Sequence, residues 1–526
     1  MRKLLFFLLL STASAWAQCA ANTAIVGIQQ VNSAAIMAPI LTKFDIDDWN
    51  PLHESVVRGD TPLIYLLHSN TLTTDQLIAG ITGQPGVVFV KGNCQTHVHT
   101  LSTPNDTYYA TYQTDLPIIS APAAWNITTG CSSGANCPII ADLDTGLDYN
   151  NPDIAPNVWS APTAFTLTGI NGYTLNCPAG THGIDVCAGT CDPIGVPAAG
   201  VDDHGTEVTG VLGAKGNNNY GITGVMQQAQ TLQIQWIVND GPGSCSLESA
   251  AMGAIEALIQ LNALFPNLIV ANHSYFYDEE DNGPNSDAVT FSDISWAYSL
   301  WQDLTAIPGL VNVLAAGNGL GFNGGDGELQ AAAVLLPYTV PLPALQTAAA
   351  TQSSPLYTHI WPQSYALPNM VIVANTSSTD QSGWYDSGSA TTPPSNYNGS
   401  YVDIGAPGTN VSTTTYVGYG TDSTKNFITG GTLGGTSFSA PLVAGTIALE
   451  AIAAPSLMYN GAALITALES GADTGAALNP ANNLSGLVTT NGRLNVYGAI
   501  VKAQQAASPS SGFSKWTPYF GKLTTW

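Results

Sequence analysis

The apolar positions along the chain fall into two regimes. Before about residue 100 they form short runs that predict a small α/β unit. Ala24-Ile25-Val26-Gly27-Ile28, Leu63-Ile64-Tyr65-Leu66-Leu67 and Val87-Val88-Phe89-Val90 read as strands. Residues 74–80 read as a short helix capped by Thr73 or Thr74. From about 103 to 505, short apolar strands alternate with helical stretches. Strands are predicted at 138–141, 231–237, 268–270, 311–314 and 370–373, and helices at 246–264 and from Ser437 to about Ala453. Such alternation implies a mostly parallel sheet with helices on both faces. Loops are interposed at about 155–200, 278–300 and 319–368. After Ala506 a Ser/Pro stretch leads to an aromatic tail, and there are no internal repeats.

Composition narrows the function. At 526 residues the chain exceeds what one hydrophobic core usually organises. Charged residues are only 9%, and 36 acidic groups against 11 basic ones give a net charge of −25. Such a chain repels nucleic-acid phosphates and anionic membranes, which excludes both as main partners. If few carboxylates are paired in the fold, acid has few favourable interactions to remove, which fits a mildly acidic exterior as well as it fits compositional bias.

The N-terminus predicts export. Arg2 and Lys3 precede an apolar run at 4–10, and Ala15-Trp16-Ala17 forms a small-x-small cleavage site, so residues 1–17 read as a signal peptide. Eight cysteines then remain, at 19, 94, 131, 137, 177, 187, 191 and 245, and an even number in an exported chain suggests disulfides. Cys131 and Cys137 bracket a short loop and are candidate partners. Cys177, Cys187, Cys191 and Cys245 form a second group. Cys19 and Cys94 could meet if the first and last strands of a ferredoxin-like sheet are neighbours. The Cys187–Cys191 spacing permits a zinc pair, but the rest of a zinc pattern is missing.

Four segments carry the chemistry. Asp142-Leu143-Asp144-Thr145-Gly146 closes the predicted 138–141 strand, at the edge where parallel sheets collect catalytic groups. Asp203-His204-Gly205-Thr206 starts a helix, with Gly205 permitting close approach to the imidazole. Gly435-Thr436-Ser437-Phe438-Ser439-Ala440-Pro441 opens another helix, whose N-terminus favours an anion formed at Ser437. A proline is tolerable only within a helix's first turn, so Pro441 is expected there. Leu314-Ala315-Ala316-Gly317-Asn318-Gly319 ends a strand with an amide that could donate to a developing oxyanion. A serine needs a base, and a histidine base needs a carboxylate to orient it. Asp144, His204, Asn318 and Ser437 supply one complete constellation.

Over about 103–500 the chain resembles the subtilisin-like serine peptidases. Asp144-Thr145-Gly146, His204-Gly205-Thr206 and Gly435-Thr436-Ser437 match that family's three signatures in its order. Thr103-Pro104-Asn105-Asp106, Ala121-Pro122-Ala123-Ala124-Trp125, Gly405-Ala406-Pro407-Gly408 and Gly492-Arg493-Leu494-Asn495 match further landmarks. The resemblance implies a three-layer α/β fold with a mostly parallel sheet, preceded by a small ferredoxin-like α+β propeptide domain. It implies an inhibitory propeptide over 18–102, a peptidase domain over 103–505 and a tail over 506–526, with the cleavage boundary between about Thr100 and Thr103. The implied activity is that of a secreted serine endopeptidase acting on proteins or peptides through an acyl-enzyme. Its partners are those substrates and its own propeptide as inhibitor, and a monomer is expected. Ser274, Tyr275 and Phe276 would line one wall of the substrate cleft and Ala315, Ala316 and Gly317 the other. A structural calcium ion is implied between Asp106, Asp153 and the loop holding Lys215, Asn218, Tyr220 and Ile222, with amide and backbone oxygens as ligands.

The chain also departs from the family. Glu207 replaces a common second histidine. Phe276 replaces a usual glycine, which leaves primary specificity open, and the acidic run 278–281 follows it. Asp142 shares a strand face with Asp144, and two nearby carboxylates can raise one another's pKa, although a solvated or hydrogen-bonded Asp142 is the plainer reading. Two rivals share the fold. A serine-carboxyl peptidase carries glutamate where this chain has His204, and a silent binding protein would have lost a triad member.

Overall fold

The computed structural model describes residues 19–29, 32–53, 62–94, 103–134, 136–195, 203–238, 245, 248–275, 295–324, 327–331, 333–335, 337, 356–358, 360–376, 395–475, 478 and 484–507. The chain divides into two compact units, Met1–Thr100 and Leu101–Trp526.

The first unit runs β1 (Cys19–Ile28), a helix (Ser33–Lys43), β2 (Ile46–His53), β3 (Leu63–Ser69), a helix (Thr74–Ile81) and β4 (Val87–Cys94). Its sheet has the order β2-β3-β1-β4 with every pair antiparallel. Ala24, Val26 and Ile28 alternate inward along β1 onto Tyr65, Leu67, Leu77 and Ile81. Thr73 is the helix cap: its hydroxyl accepts from Gln76 N, and the Gln76 side chain accepts from Thr73 N. The β1–β4 register sets Cys19 opposite Cys94. The Ser33–Lys43 helix and β2 escape the sequence pattern. Pro39 interrupts the helix and Asp47, Asp48, Asn50 and Pro51 obscure the strand. Met37 and Ile40 anchor the first on the core, and pairing with β3 holds the second.

The second unit is built on a nine-stranded sheet of order β20-β21-β17-β16-β11-β10-β5-β9-β8. Its members are β5 (Ile139–Asp144), β8 (Gly183–Asp185), β9 (Thr231–Gln235), β10 (Leu268–His273), β11 (Val311–Ala315), β16 (Met370–Thr376), β17 (Ile404–Pro407), β20 (Asp473–Thr474) and β21 (Gly492–Arg493). All neighbours are parallel except the edge pair β20–β21. The central strands are buried throughout, as expected of a parallel sheet covered on both faces. The Thr436–Ala453 helix is apolar all round because it runs through the core, with Leu442, Val443, Ile447, Ala448 and Leu449 all buried. On the other side Trp159, Phe165, Phe265, Trp301, Trp361 and Tyr365 form an aromatic-rich core with the Glu248–Leu264 helix.

The predicted loops hold more structure than their patterns suggest. Within 155–200, β6 (Phe165–Ile170) and β7 (Tyr173–Cys177) form a hairpin and β8 joins the main sheet. The hairpin turns on Asn171-Gly172, both at positive φ, a turn signal present in the sequence. Within 319–368, β12 (Leu320–Gly324) and β13 (Gly327–Ala331) pair, as do β14 (Ala333–Leu335) and β15 (Leu356–Thr358). A helix at Tyr298–Thr305 overlaps the end of the second predicted loop, 278–300. Beyond the sheet, β18 (Thr409–Thr414) and β19 (Phe427–Gly434) form the ribbon that leads into Ser437.

Disulfides join Cys131–Cys137, Cys177–Cys191 and Cys187–Cys245. Cys187 and Cys191 thus serve different bridges and are not a zinc pair. The signal segment 1–17, the cleavage boundary at 100–103 and the tail after Ala507 lie partly or wholly outside the described residues.

Glu450 is fully buried in the core helix and neither carboxylate oxygen has a hydrogen-bond partner among the described residues. Burial pushes its pKa well above the ordinary value. Unfolding therefore releases its proton at any pH between the two values, so its contribution to stability is complete below the ordinary value and is lost as pH rises toward the folded one. Glu450→Gln should raise the thermal midpoint at neutral pH and flatten the midpoint–pH curve, with no gain in acid. Equal midpoint shifts at both pH values would refute this origin. Whole-protein stability that collapses just below neutral pH would exclude the acidic-exterior reading.

Candidate active site

Three strands and two helices deliver the polar residues to one sheet edge. β5, β10 and β11 end at Asp144, His273 and Ala315, and their carboxyl ends lie side by side by parallel pairing. The His204–Gly213 helix follows β8 and the Thr436–Ala453 helix follows β19.

Asp144 is fully buried, and its Oδ1 accepts from Thr145 N at 2.7 Å. The His204 ring, a quarter exposed, donates from Nδ1 to Asp144 Oδ1 at 2.8 Å and lies 2.9 Å from Oδ2. This fixes the proton on Nδ1 and leaves Nε2 as the basic nitrogen. Thr145 also accepts from Gly205 N through its hydroxyl at 3.0 Å, tying the helix start to the strand end. Gly205 is required there: a Cβ would lie 2.4 Å from Gly146 O and 3.1 Å from Asp144 Cβ.

Ser437 is the second residue of its helix, and Pro441 lies in the second turn, not the first. Proline has no N–H to give to the carbonyl four residues back, so the Ser437 carbonyl lacks its helical partner. Ser274 Oγ donates to it at 2.8 Å, and Ser437 Oγ donates to Ser274 O at 3.0 Å. Asn318 meets the same turn. Its Oδ1 accepts from Thr436 N and Thr436 Oγ1, both at 2.9 Å, which leaves the amide NH₂ as the donating edge. A Cβ on Gly435, at φ +148°, would sit 3.2 Å from that amide.

The two expected cleft walls differ in what they expose. Ala315 and Ala316 are buried, and Gly317 N donates to Thr436 Oγ1 at 3.2 Å. The Tyr275 ring turns into the protein body, with its hydroxyl 3.0 Å from His273 Nδ1, so only its backbone can face a substrate. Phe276 and the 278–281 run lie outside the described residues. Sequence reading missed Gln363, whose Nε2 donates to Tyr275 O at 2.9 Å and Ala315 O at 2.7 Å, stapling the two walls. No local pattern signals such a role. Thr145 and Thr436 stand inside quoted motifs and were the findable misses.

Asp106, Asp153 and the 215–222 loop also come together. Asp106 accepts from Asn217 N at 2.9 Å. Asp153 accepts from Asn218 Nδ2 at 2.7 Å and Ile222 N at 2.9 Å. Asn218 Oδ1 accepts from Tyr220 N, and Lys215 N donates to Asp153 O. Burial raises the pKa of Asp106, and it carries Asp153 to about 7, with Asp106 adding repulsion. The described residues hold no group of three or more His, Cys, Asp or Glu arranged to hold a metal ion by themselves. Two buried carboxylates with amide and carbonyl oxygens nevertheless suit a hard cation that prefers oxygen.

Residues 136–493 match the subtilase family as a whole. The chain is 33% identical over 144 residues to the thermophilic serine proteinase of Bacillus sp. (strain AK1), covering 27% of this chain and 28% of that protein. It is 25% identical over 418 residues to an extracellular protease of Xanthomonas campestris pv. campestris, covering 77% of this chain and 58% of that one. The matches thus span less than two thirds of either relative. Among solved structures it is similar to fervidolysin from Fervidobacterium pennivorans, with 16% identity and a TM-score of 0.45 over 92% of this chain and 61% of that one.

Gly205→Ala should cost about 1–3 kcal/mol through overpacking against Gly146 O. Thermal unfolding checks it, and an unchanged midpoint would show that the helix start can shift freely.

Proposed function

We propose, from the premise that the chain belongs to the subtilase family, that it is a secreted serine endopeptidase made as a self-processing zymogen. The observation that carries this reading is the Asp144–His204 pair, set at the sheet edge where β10 and the Ser437 helix grip each other. An extracellular relative and three disulfides support export.

In this reading Asp144 holds His204 Nδ1–H, and Nε2 takes the Ser437 proton as Oγ attacks the peptide carbonyl. The negative oxygen is received by Asn318 Nδ2 and the Ser437 backbone N–H, at the positive end of the core helix. His204 then returns its proton to the leaving amine, and water repeats the sequence on the acyl-enzyme. The substrate lies against Ser274–Phe276 and Ala315–Gly317. Residues 1–17 are the signal peptide, 18–102 the inhibitory propeptide, 103–505 the peptidase domain and 506–526 a tail, and the mature enzyme is a monomer. Asp106, Asp153, Asn218 and backbone oxygens of the loop at Lys215, Tyr220 and Ile222 would hold a calcium ion. Bound there, it neutralises the two buried carboxylates and ties the loop to the mature N-terminus.

Mass spectrometry of secreted protein tests the chemistry. Wild type should be trimmed near Thr100–Thr103 and labelled on Ser437 by an organofluorophosphate, while Ser437→Ala stays untrimmed. An unlabelled, full-length wild type would overturn the reading. For calcium, chelation should lower the thermal midpoint by about 3–6 °C. Asp153→Asn should remove that response, and a midpoint indifferent to chelation would refute the site.

A further inference from the structure

β5 carries a second buried carboxyl that the triad does not use. Asp142 lies two residues before Asp144, so both side chains leave the same face of the strand. It is 1% exposed. Its partners are Asn272 Nδ2, donating to Oδ1 at 2.9 Å, and Thr209 Oγ1, 3.4 Å from Oδ2. Both are neutral. The charged and titratable groups that act on it from the packed elements are Asp144, on its own strand, and His204, on the facing helix.

The unpartnered buried groups around Asp142 are mostly acceptors, with Gln233 Nε2 as the one donor among them. Register pairs Asp142 with Gln233 on β9 and with Asn272 on β10, and Asp144 with Gln235. Gln233 Oε1, Gln235 Oε1 and Asn272 Oδ1 are buried amide oxygens with no partner among the described residues. An ionised Asp142 would add another pure acceptor to this set, beside the negative Asp144. A protonated Asp142 supplies an O–H donor instead. Burial and the neighbouring Asp144 both push its pKa well up, in agreement with that hydrogen-bond account.

Asp142 also touches the reaction through a relay. Asn272 Nδ2 donates both to Asp142 and, at 2.8 Å, to Ser274 Oγ. Ser274 Oγ donates to the Ser437 carbonyl, the one that Pro441 leaves without a helical partner. Whatever moves Asp142 therefore moves the side chain that fixes the nucleophile's backbone.

We propose that Asp142 is a positioning residue that works as a neutral carboxylic acid, and that loss of its proton sets an alkaline limit on catalysis. The inference rests on the serine-peptidase reading above. A histidine base by itself gives activity that rises with pH and then stays level. Here the proton of Asp142 leaves to solvent at higher pH, and two adjacent buried anions remain. Repulsion displaces Asp142, and the displacement passes through Asn272 and Ser274 to Ser437. The profile then falls on the alkaline side.

The test is kcat/KM against pH for the processed enzyme and for Asp142→Asn, using a chromogenic peptide amide. Organofluorophosphate titration at each pH counts working sites, and circular dichroism confirms that the fold persists. Wild type should give a bell, falling about tenfold per pH unit beyond the upper midpoint. Asp142→Asn should keep the rising limb and lose the falling one. Asp142→Val, which offers no proton and no charge, should also lose the falling limb while its level is lower at every pH. A variant that keeps the wild-type bell, or a wild type that stays level in alkali while folded, would overturn the proposal. A wild type that takes no label at any pH would instead remove the serine-peptidase reading, and this inference with it.

Discussion

A helix normally satisfies each carbonyl with the N–H four residues on, and Pro441 withholds that N–H from Ser437. The vacancy is filled from another element: Ser274, just past β10, donates its hydroxyl to the Ser437 carbonyl. The hydrogen bond from Ser437 Oγ to Ser274 O runs the other way, so strand end and helix start specify each other. The helix itself is a column of buried apolar side chains packed among the strands. The place of Ser437 is thus set by core packing. Asn318 and Thr436 add a third tie from β11, again to the first turn of that helix.

Scarcity of charge shapes the rest. The ion pairs described are His68–Asp47, His204–Asp144 and Arg493–Asp473, and two of the three depend on a histidine. Most of the buried carboxyls are held by amides, hydroxyls and backbone N–H groups, and burial raises them: Asp403 to about 7, Asp153 to about 7, Glu450 well up. Stability from such groups is greatest in acid and declines as pH rises through their folded values. Asp422 has the opposite sign. Its hydrogen bonds from Thr424, Phe427 and Tyr108 outweigh desolvation and lower it to about 2, so its contribution is lost only as pH falls toward that value.

The sequence made the central sheet legible because fully buried parallel strands leave unbroken apolar runs, as at Ile139, Leu268, Val311 and Met370. The motifs around Asp144, His204 and Ser437 were legible for a related reason: each is a short segment with a glycine, such as Gly205 against Gly146 O, that admits a close neighbour. Elements held by tertiary pairing were not. β2 contains Asn50-Pro51 and is a strand because β3 lies beside it. β8 is three residues long and exists through β9. The turn in which Pro441 sits was misjudged because local rules forbid an interior proline, and the compensating donor sits 163 residues away in Ser274. Gln363 was invisible for the same reason, since its two acceptors lie just past β10 and at the end of β11.

The contrast between Asp142 and Asp144 shows how finely position along one strand decides charge. Two strand residues span about 6.6 Å. At the strand end, Asp144 meets an imidazole, a backbone N–H from Thr145 and the first turn of the His204–Gly213 helix, whose positive end favours an anion. One step back, Asp142 faces Thr209, farther along that helix, and the amide of Asn272. The helix dipole is strongest at its terminus and fades within a turn, so the same carboxyl chemistry meets a positive environment at one position and a neutral one at the next. A carboxylate that must carry charge belongs at the first place. A carboxylic acid that must donate a hydrogen bond belongs at the second.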